Sequence, residues 1–455
     1  MDRGEQTETP DRLPAAPSDV LQLSSPLLLR VLDIVTAFIR RARVWRRPRR
    51  GSAAAIEEMS LLDNLYWVFK SAHPVALPPR DLDIARDLDR DLPRIMPPGG
   101  LEVESSVTLA AAGDILRSRG IDQSANILYE RVQDLLFDKD ISFANFESPV
   151  TTQPLVEEII DDLGPPVECC DATQFDILKG HRGRVFDILN TANNHFFDMG
   201  LEGVTTTAET LAREGIVNLG ANATPDEHGT AKVLARNGIR VGFVSDCFGL
   251  NGHRLPPAEA YRVHLSALSS KAGPPDTALL RRQIDDCRRK DCDFIVASIH
   301  WGHEFEFFPR RQQVEAARAL VEYGADAIIG HHPHVIQPME VYRPARDPRR
   351  PAVIAYSLGS LTWGFAAPHI ALSAILNLRL VKGVLDGETV TCIAEARATP
   401  VFRTYGSEDG RMVTRIERLS DLLADTAERP TVEGARKALD YAELVLGRET
   451  TGPAA

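Results

Sequence analysis

From about residue 105 the chain alternates short apolar runs with stretches of helical periodicity, and no other feature narrows its possible folds as far. Residues 107–112, 141–146, 185–192, 216–219, 240–245, 294–299, 327–329 and 352–356 read as strands. Helical spacing fills 203–214, 277–289 and 312–323 between them. Strand–helix alternation of this kind implies a layered α/β body. Residues 371–380 and 389–398 flank a turn at Asp386-Gly387, which predicts an antiparallel hairpin at a sheet edge.

A polar cluster follows most of these strands. The series is Gly113-Asp114, Asn145-Phe146-Glu147, Asn193-Asn194-His195 with Asp198, His300-Trp301-Gly302-His303-Glu304, and Gly330-His331-His332-Pro333-His334. Ligands of α/β sheets gather at the carboxyl ends of strands, so five clusters at the same place on successive strands can converge on one site. Carboxylates and amides come first and imidazoles later. That donor mixture suits Mn, Fe, Zn or a similar ion.

The net charge of −12 argues against nucleic acid as the main partner. Six cysteines without a Cys-x-x-Cys pair indicate neither a zinc knuckle nor a disulfide framework. The first residues are polar and proline-rich and lack the basic start and apolar core of a signal peptide. The apolar run 26–39 is interrupted by Arg30 and Asp33 and is too short to span a bilayer, so a cytoplasmic protein without a transmembrane span is expected. Arginines cluster at positions 40–50, and residues 25–50 leave open a contact with a membrane surface. Pro97-Pro98-Gly99-Gly100 marks a break. The expected organisation is a disordered arm (1–24), a helical N-terminal extension (25–100), a catalytic domain (101–405), and a C-terminal helical extension with a tail (406–455).

The ordered motifs GD, NFE, ANNHxxDxG, HWGxE, GHHPH and YSLGS resemble the CapA-like family, named for poly-γ-glutamate capsule synthesis, of the calcineurin-like metallophosphoesterase superfamily. The resemblance covers residues 105–405. It implies a metallophosphoesterase-like β-sandwich flanked by helices, holding one or two divalent metal ions, with Mn favoured. Carried over by position, Asp114, Glu147, Asn194, His300, His332 and His334 are the implied metal ligands, with Glu147 bridging. His195 is the implied catalytic histidine, oriented by Asp198. Two positions depart from the pattern. Asp114-Ile115-Leu116 lacks the histidine of the superfamily's Asp-x-His, and Ser360 stands where the family commonly has asparagine.

A paired-metal site can polarise a carbonyl or phosphoryl oxygen while a histidine moves a proton. The expectation is an enzyme acting on a peptide, most specifically an isomerase that epimerises a peptide Cα, because the chain resembles some cytosolic CapA-like proteins of lasso-peptide pathways that are peptide epimerases. His195 would be one acid/base group and His303 or Glu304 the second. The alternatives are phosphoester hydrolysis, amide chemistry on γ-glutamyl chains, and a non-catalytic scaffold holding a structural metal.

Overall fold

The structure, a computed structural model, describes residues 13–22, 25–155, 160–161, 166–271, 273–424 and 430–448. In chain order its main strands are β1 (Glu102–Ile115), β2 (Ile141–Phe146), β3 (Ile188–Asn190), β4 (Val217–Leu219), β5 (Lys232–Arg236), β6 (Ile239–Cys247), β7 (Phe294–His300), β8 (Ala327–His331), β9 (Met339–Tyr342), β10 (Ala352–Ala355), β11 (Leu372–Leu385), β12 (Glu388–Glu408) and β13 (Arg411–Arg418). They form a seven-stranded sheet in the order β13-β12-β11-β1-β2-β3-β4 and a six-stranded sheet in the order β9-β10-β8-β7-β6-β5. Strands β1 to β4 pair in parallel, as do β6, β7, β8 and β10.

The two sheets face one another across the main core. Val107, Leu109, Ala111, Ile141 and Phe143 from the first sheet meet Val241, Phe243, Phe294, Val296 and Ile329 from the second. The rings of Phe143 and Phe243 stack with centroids 6.2 Å apart. Alternate residues of the same strands point outward and are covered by helices, which is why these strands are apolar on both faces. Helices α1 (Pro26–Arg41) and α2 (Leu61–Ala72) precede the sheets, α3 (Gly200–Arg213), α4 (Ala278–Arg289) and α5 (Arg311–Tyr323) lie between their strands, and α6 (Pro430–Leu446) follows. Val244, Ala297, Ile299 and Ile328 pack against Leu280 and Ile284 of α4 and Val314, Ala317 and Leu320 of α5. The spacing of three residues in α5 places one apolar stripe on the sheet, and Gly324 at φ 139° ends the helix. The expected α/β sandwich flanked by helices is what the chain forms.

Four details differ from the expectations. Residues 1–12 and 23–24 of the expected disordered arm lie outside the described residues. Residues 13–22 are fastened to the body: Leu13 and Ala16 are buried, and the Ala366 and Ala367 N–H groups donate to Pro14 O and Ala15 O at 2.8 Å. The 25–100 extension is not set apart, because Leu92 and Ile95 enter the main core and Leu82 and Leu88 pack with α4 and α5. The boundary expected after residue 405 falls inside β12, which continues to Glu408 and pairs with β13. The hairpin β11–β12 is therefore interior, and β13 is the edge. Its half-exposed, charged alternation gave no apolar run to read. Among the described residues no helix is long and apolar enough to cross a membrane.

Candidate metal centre

Parallel strands in register bring their carboxyl ends to one line. Asp114 pairs with Asn145 and Asn145 with Asn190 across β1, β2 and β3, while His300 pairs with His331 across β7 and β8. A row of acids and amides thus faces a row of imidazoles across the sandwich. Each row needs a glycine. A Cβ at Gly113 would lie 1.9 Å from Gly359 O, and a Cβ at Gly330 would lie 1.9 Å from Tyr356 O. The close approach lets the Asp114 N–H donate to Gly359 O at 2.9 Å and the Leu361 N–H donate to Asp114 O at 2.7 Å, which pins the aspartate.

Asp114 is fully buried, and its carboxylate lies between His331 Nδ1 at 3.1 Å and His334 Nδ1 at 3.2 Å. Asn145 Nδ2 donates to Asp114 Oδ1 at 2.9 Å and to Glu147 Oε1 at 2.7 Å. Glu147 Oε1 is 3.7 Å from His300 Nδ1, and Glu147 Oε2 is 3.9 Å from His334 Nε2. Burial alone would raise the Asp114 carboxyl, but the bonds and charges of His331 and His334 outweigh it and hold it well below its usual range. Glu147 goes the other way. Burial, then the charge of Asp114, pushes it well above the usual carboxylate range. Burial likewise holds His300 and His332 below the ordinary imidazole range, which favours the neutral ring that a metal ligand presents.

Two groups of side chains can hold a cation. In Asp114, Glu147 and His300, and again in Glu304, His332 and His334, one candidate ligand atom from each residue lies within 4.8 Å of the others. Two features fit a metal here. Glu147 Oε2 and His332 Nδ1 are buried with no hydrogen-bond partner among the described residues, which is costly unless something not made of protein satisfies them. The donors are carboxylate oxygen and imidazole nitrogen without a thiolate, a set suited to Mn, Fe or Zn. His332 and His334 adopt left-handed backbone at φ 93° and 54° on either side of Pro333. This strained corner turns both rings into the site, where their centroids are 6.0 Å apart.

The structure brings most of the expected site residues together and moves some to other positions. Asn194 Oδ1 accepts from His300 Nε2 at 2.8 Å. His195 Nδ1 is 2.7 Å from Asp198 Oδ2, and both side chains are buried. Asp198 also accepts from the Glu168 N–H at 2.9 Å. Glu304, expected as an acid/base group, stands in the group with His332 and His334. His303 joins neither group. It is buried, and burial, then the charges of Arg310 and Lys70, lowers its imidazole well below the ordinary range. His300 is the last residue of β7 and points into the site; three positions later the chain has turned away.

Several contributors escaped the sequence reading. His331 bonds directly to Asp114 rather than only lining the site. Asn145 links both carboxylates, and its place in the Asn-Phe-Glu motif was the available signal. Asn251, on a loop, accepts from Asn194 Nδ2 at 2.9 Å and lies 3.2 Å from His195 Nδ1; nothing in its surroundings marks it. Ser360 Oγ is 2.8 Å from His334 Nδ1, so the hydroxyl at the departing position supports a candidate ligand.

Residues 108–363 match the family model described as bacterial capsule synthesis protein PGA_cap, and the chain belongs to that family. It is 28% identical over 296 residues to the PGA biosynthesis protein CapA of Bacillus subtilis, covering 63% of this chain and 71% of that one. It is 27% identical over 280 residues to the capsule biosynthesis protein CapA of Bacillus anthracis, covering 60% and 64%. The chain thus spans about two thirds of the length of these relatives. Among solved structures it is similar to the calcineurin-like phosphoesterase YfkN from Bacillus subtilis, with TM-score 0.36 and 13% identity over 74% of this chain and 99% of that one.

Proposed function

We propose that the chain is a divalent-metal-dependent enzyme that moves a proton beside an amide carbonyl of a peptide or γ-glutamyl substrate. The observation that carries this reading is the His195–Asp198 pair, which sits next to Asn194 and its partner His300. Asp198 accepts from His195 Nδ1, which fixes the ring and leaves Nε2 to take or give the substrate's proton. Asp114, Glu147 and His300 would hold one ion, with Asn194 beside them, and Glu304, His332 and His334 a second. Such ions, when bound, draw electron density from a carbonyl oxygen and so acidify the neighbouring C–H or a water.

Within that class, epimerisation at a peptide Cα, as in a ribosomal or lasso precursor peptide, is the first reading. The first motif has Leu116 where the superfamily's pattern carries a fourth imidazole beside His300, His332 and His334. Manganese is the ion of choice for a test. Incubation of a candidate precursor peptide with the enzyme and Mn²⁺ in D₂O should place deuterium at one Cα and invert it. Absence of deuterium from every Cα would rule this reading out.

Hydrolysis of a γ-glutamyl amide or a phosphoester on the same site is the second reading, favoured by the capsule-synthesis relatives. Steady release of glutamate or phosphate from simple substrates, without deuterium incorporation, would establish it.

A further inference from the structure

The matched family region begins at residue 108, yet one half of the centre leans on a helix that ends before it. Helix α2 starts at a capping box, where Asp63 N–H donates to Ser60 Oγ at 3.3 Å and Ser60 N–H donates to Asp63 Oδ2 at 2.8 Å. Its inner face meets the segment 304–310. Trp67 Nε1 donates to Glu304 Oε2. Tyr66 OH donates to Glu306 Oε1 at 3.0 Å, Arg310 Nη2 donates to the same oxygen at 2.8 Å, and Lys70 Nζ lies 4.0 Å from it.

Just beyond the helix, the Val75 N–H donates to Phe305 O at 2.8 Å and Val75 O accepts from the Phe307 N–H at 3.0 Å. On the other side, the Phe305 N–H donates to Pro333 O at 2.8 Å, inside the His332-Pro333-His334 corner. Phe305 itself has φ 58°. A bulky residue there is strained and persists only where its surroundings dictate it. The strap that presents Glu304 is thus held from both sides, and one of those sides is the N-terminal extension.

We propose that helix α2 is a working part of the centre, and that Trp67 is a positioning residue which holds Glu304 against His332 and His334. The inference rests on reading Glu304, His332 and His334 as a metal site. The indole is neutral and donates one hydrogen bond, so it orients the carboxylate without cancelling the charge a cation needs. The other carboxylate oxygen stays available to a ligand. The extension then decides whether the second group is complete, while Asp114, Glu147 and His300 do not depend on it.

The full chain, labelled with ¹⁵N at its 4 tryptophans, tests this directly. The indole resonance of Trp67, assigned by its loss in Trp67→Phe, should move upfield in Glu304→Gln, where the acceptor loses its charge. Mn²⁺ titration should show that Trp67→Phe weakens one of two sites by about 10–100-fold and leaves the other unchanged. A Trp67 resonance unmoved by Glu304→Gln overturns the proposal, and this readout needs no metal. Equal weakening of both sites, or of neither while Glu304→Gln weakens one, also overturns it. If Glu304→Gln leaves Mn²⁺ binding intact, the metal reading of this group fails, while the indole shift still decides whether Trp67 holds Glu304.

Discussion

The two halves of the centre are built on different principles. Asp114, Glu147 and His300 sit at or beside the ends of β1, β2 and β7 with unstrained backbone, and register between parallel strands places them. Glu304, His332 and His334 sit past strand ends, and His332, His334 and the adjoining Phe305 all have positive φ. Each such residue costs about 1–3 kcal/mol, which packing around it must supply. The first half is fully buried; Glu304 in the second is partly exposed. The contrast suggests a permanent inner group and an outer group whose geometry depends on the rest of the molecule.

The largest effect should come from the group that belongs to neither half. In His195→Ala the proposed proton carrier is gone, and turnover should fall by about 10²–10⁴-fold. Mn²⁺ affinity at both groups should stay at the wild-type value, measured by calorimetric titration. Wild-type-like function in this variant would instead support a scaffold whose metal is structural. A loss of metal binding would place His195 among the ligands and collapse the distinction drawn above.

Glu147→Gln examines the inner half. The amide keeps the shape but removes the charge, so Mn²⁺ affinity there should drop by on the order of 10²-fold. Stability of the metal-free protein should be unchanged or raised. Glu147 is a buried carboxyl that burial and Asp114 push toward protonation, so a neutral isostere relieves rather than breaks an interaction. A melting temperature several degrees lower would show instead that Glu147 is a structural acid.

Much of this centre could be read from the chain because its inner half follows strand rules. Apolar runs such as 141–146 and 294–299 mark buried parallel strands, and the next polar residue is then at the sheet's carboxyl end. Strain and long-range contact are harder to see. Trp67 and Glu304 are 237 positions apart, and nothing near Trp67 distinguishes it from any aromatic residue on an amphipathic helix. The positive φ of Phe305 follows from tethers to Val75 and Pro333, both set by the finished fold. His303 lies apart from both groups because the chain turns after β7, which sequence proximity to His300 does not show. The Pro97-Pro98-Gly99-Gly100 break is real but marks a turn into β1, since Leu92 and Ile95 before it already belong to the main core.

The smallest effect concerns acid, which blurs the two halves because both contain imidazoles. Part of any loss below pH 6.5 belongs to the fold itself, through His264. This residue is buried away from both groups. Its Nε2 accepts from the Gly229 N–H at 3.1 Å and its Nδ1 lies 3.1 Å from Ser245 O, an arrangement that only the neutral ring satisfies. Burial, then the neighbouring His228, with Lys232 and Arg282 also nearby, pushes its pKa down from 6.5 to about 3. The folded value is below the unfolded one, so this stability is complete above pH 6.5 and is lost as the pH falls toward 3. At pH 5.5 the loss should be about 1.4 kcal/mol. Urea unfolding of metal-free protein between pH 7.5 and 5.5 measures it, and His264→Gln should flatten that slope by the same amount. With this contribution removed, the remaining acid loss belongs to the other buried imidazoles, those of the two groups together with His303 and His369. An unchanged slope in His264→Gln would assign the acid sensitivity to those other imidazoles instead.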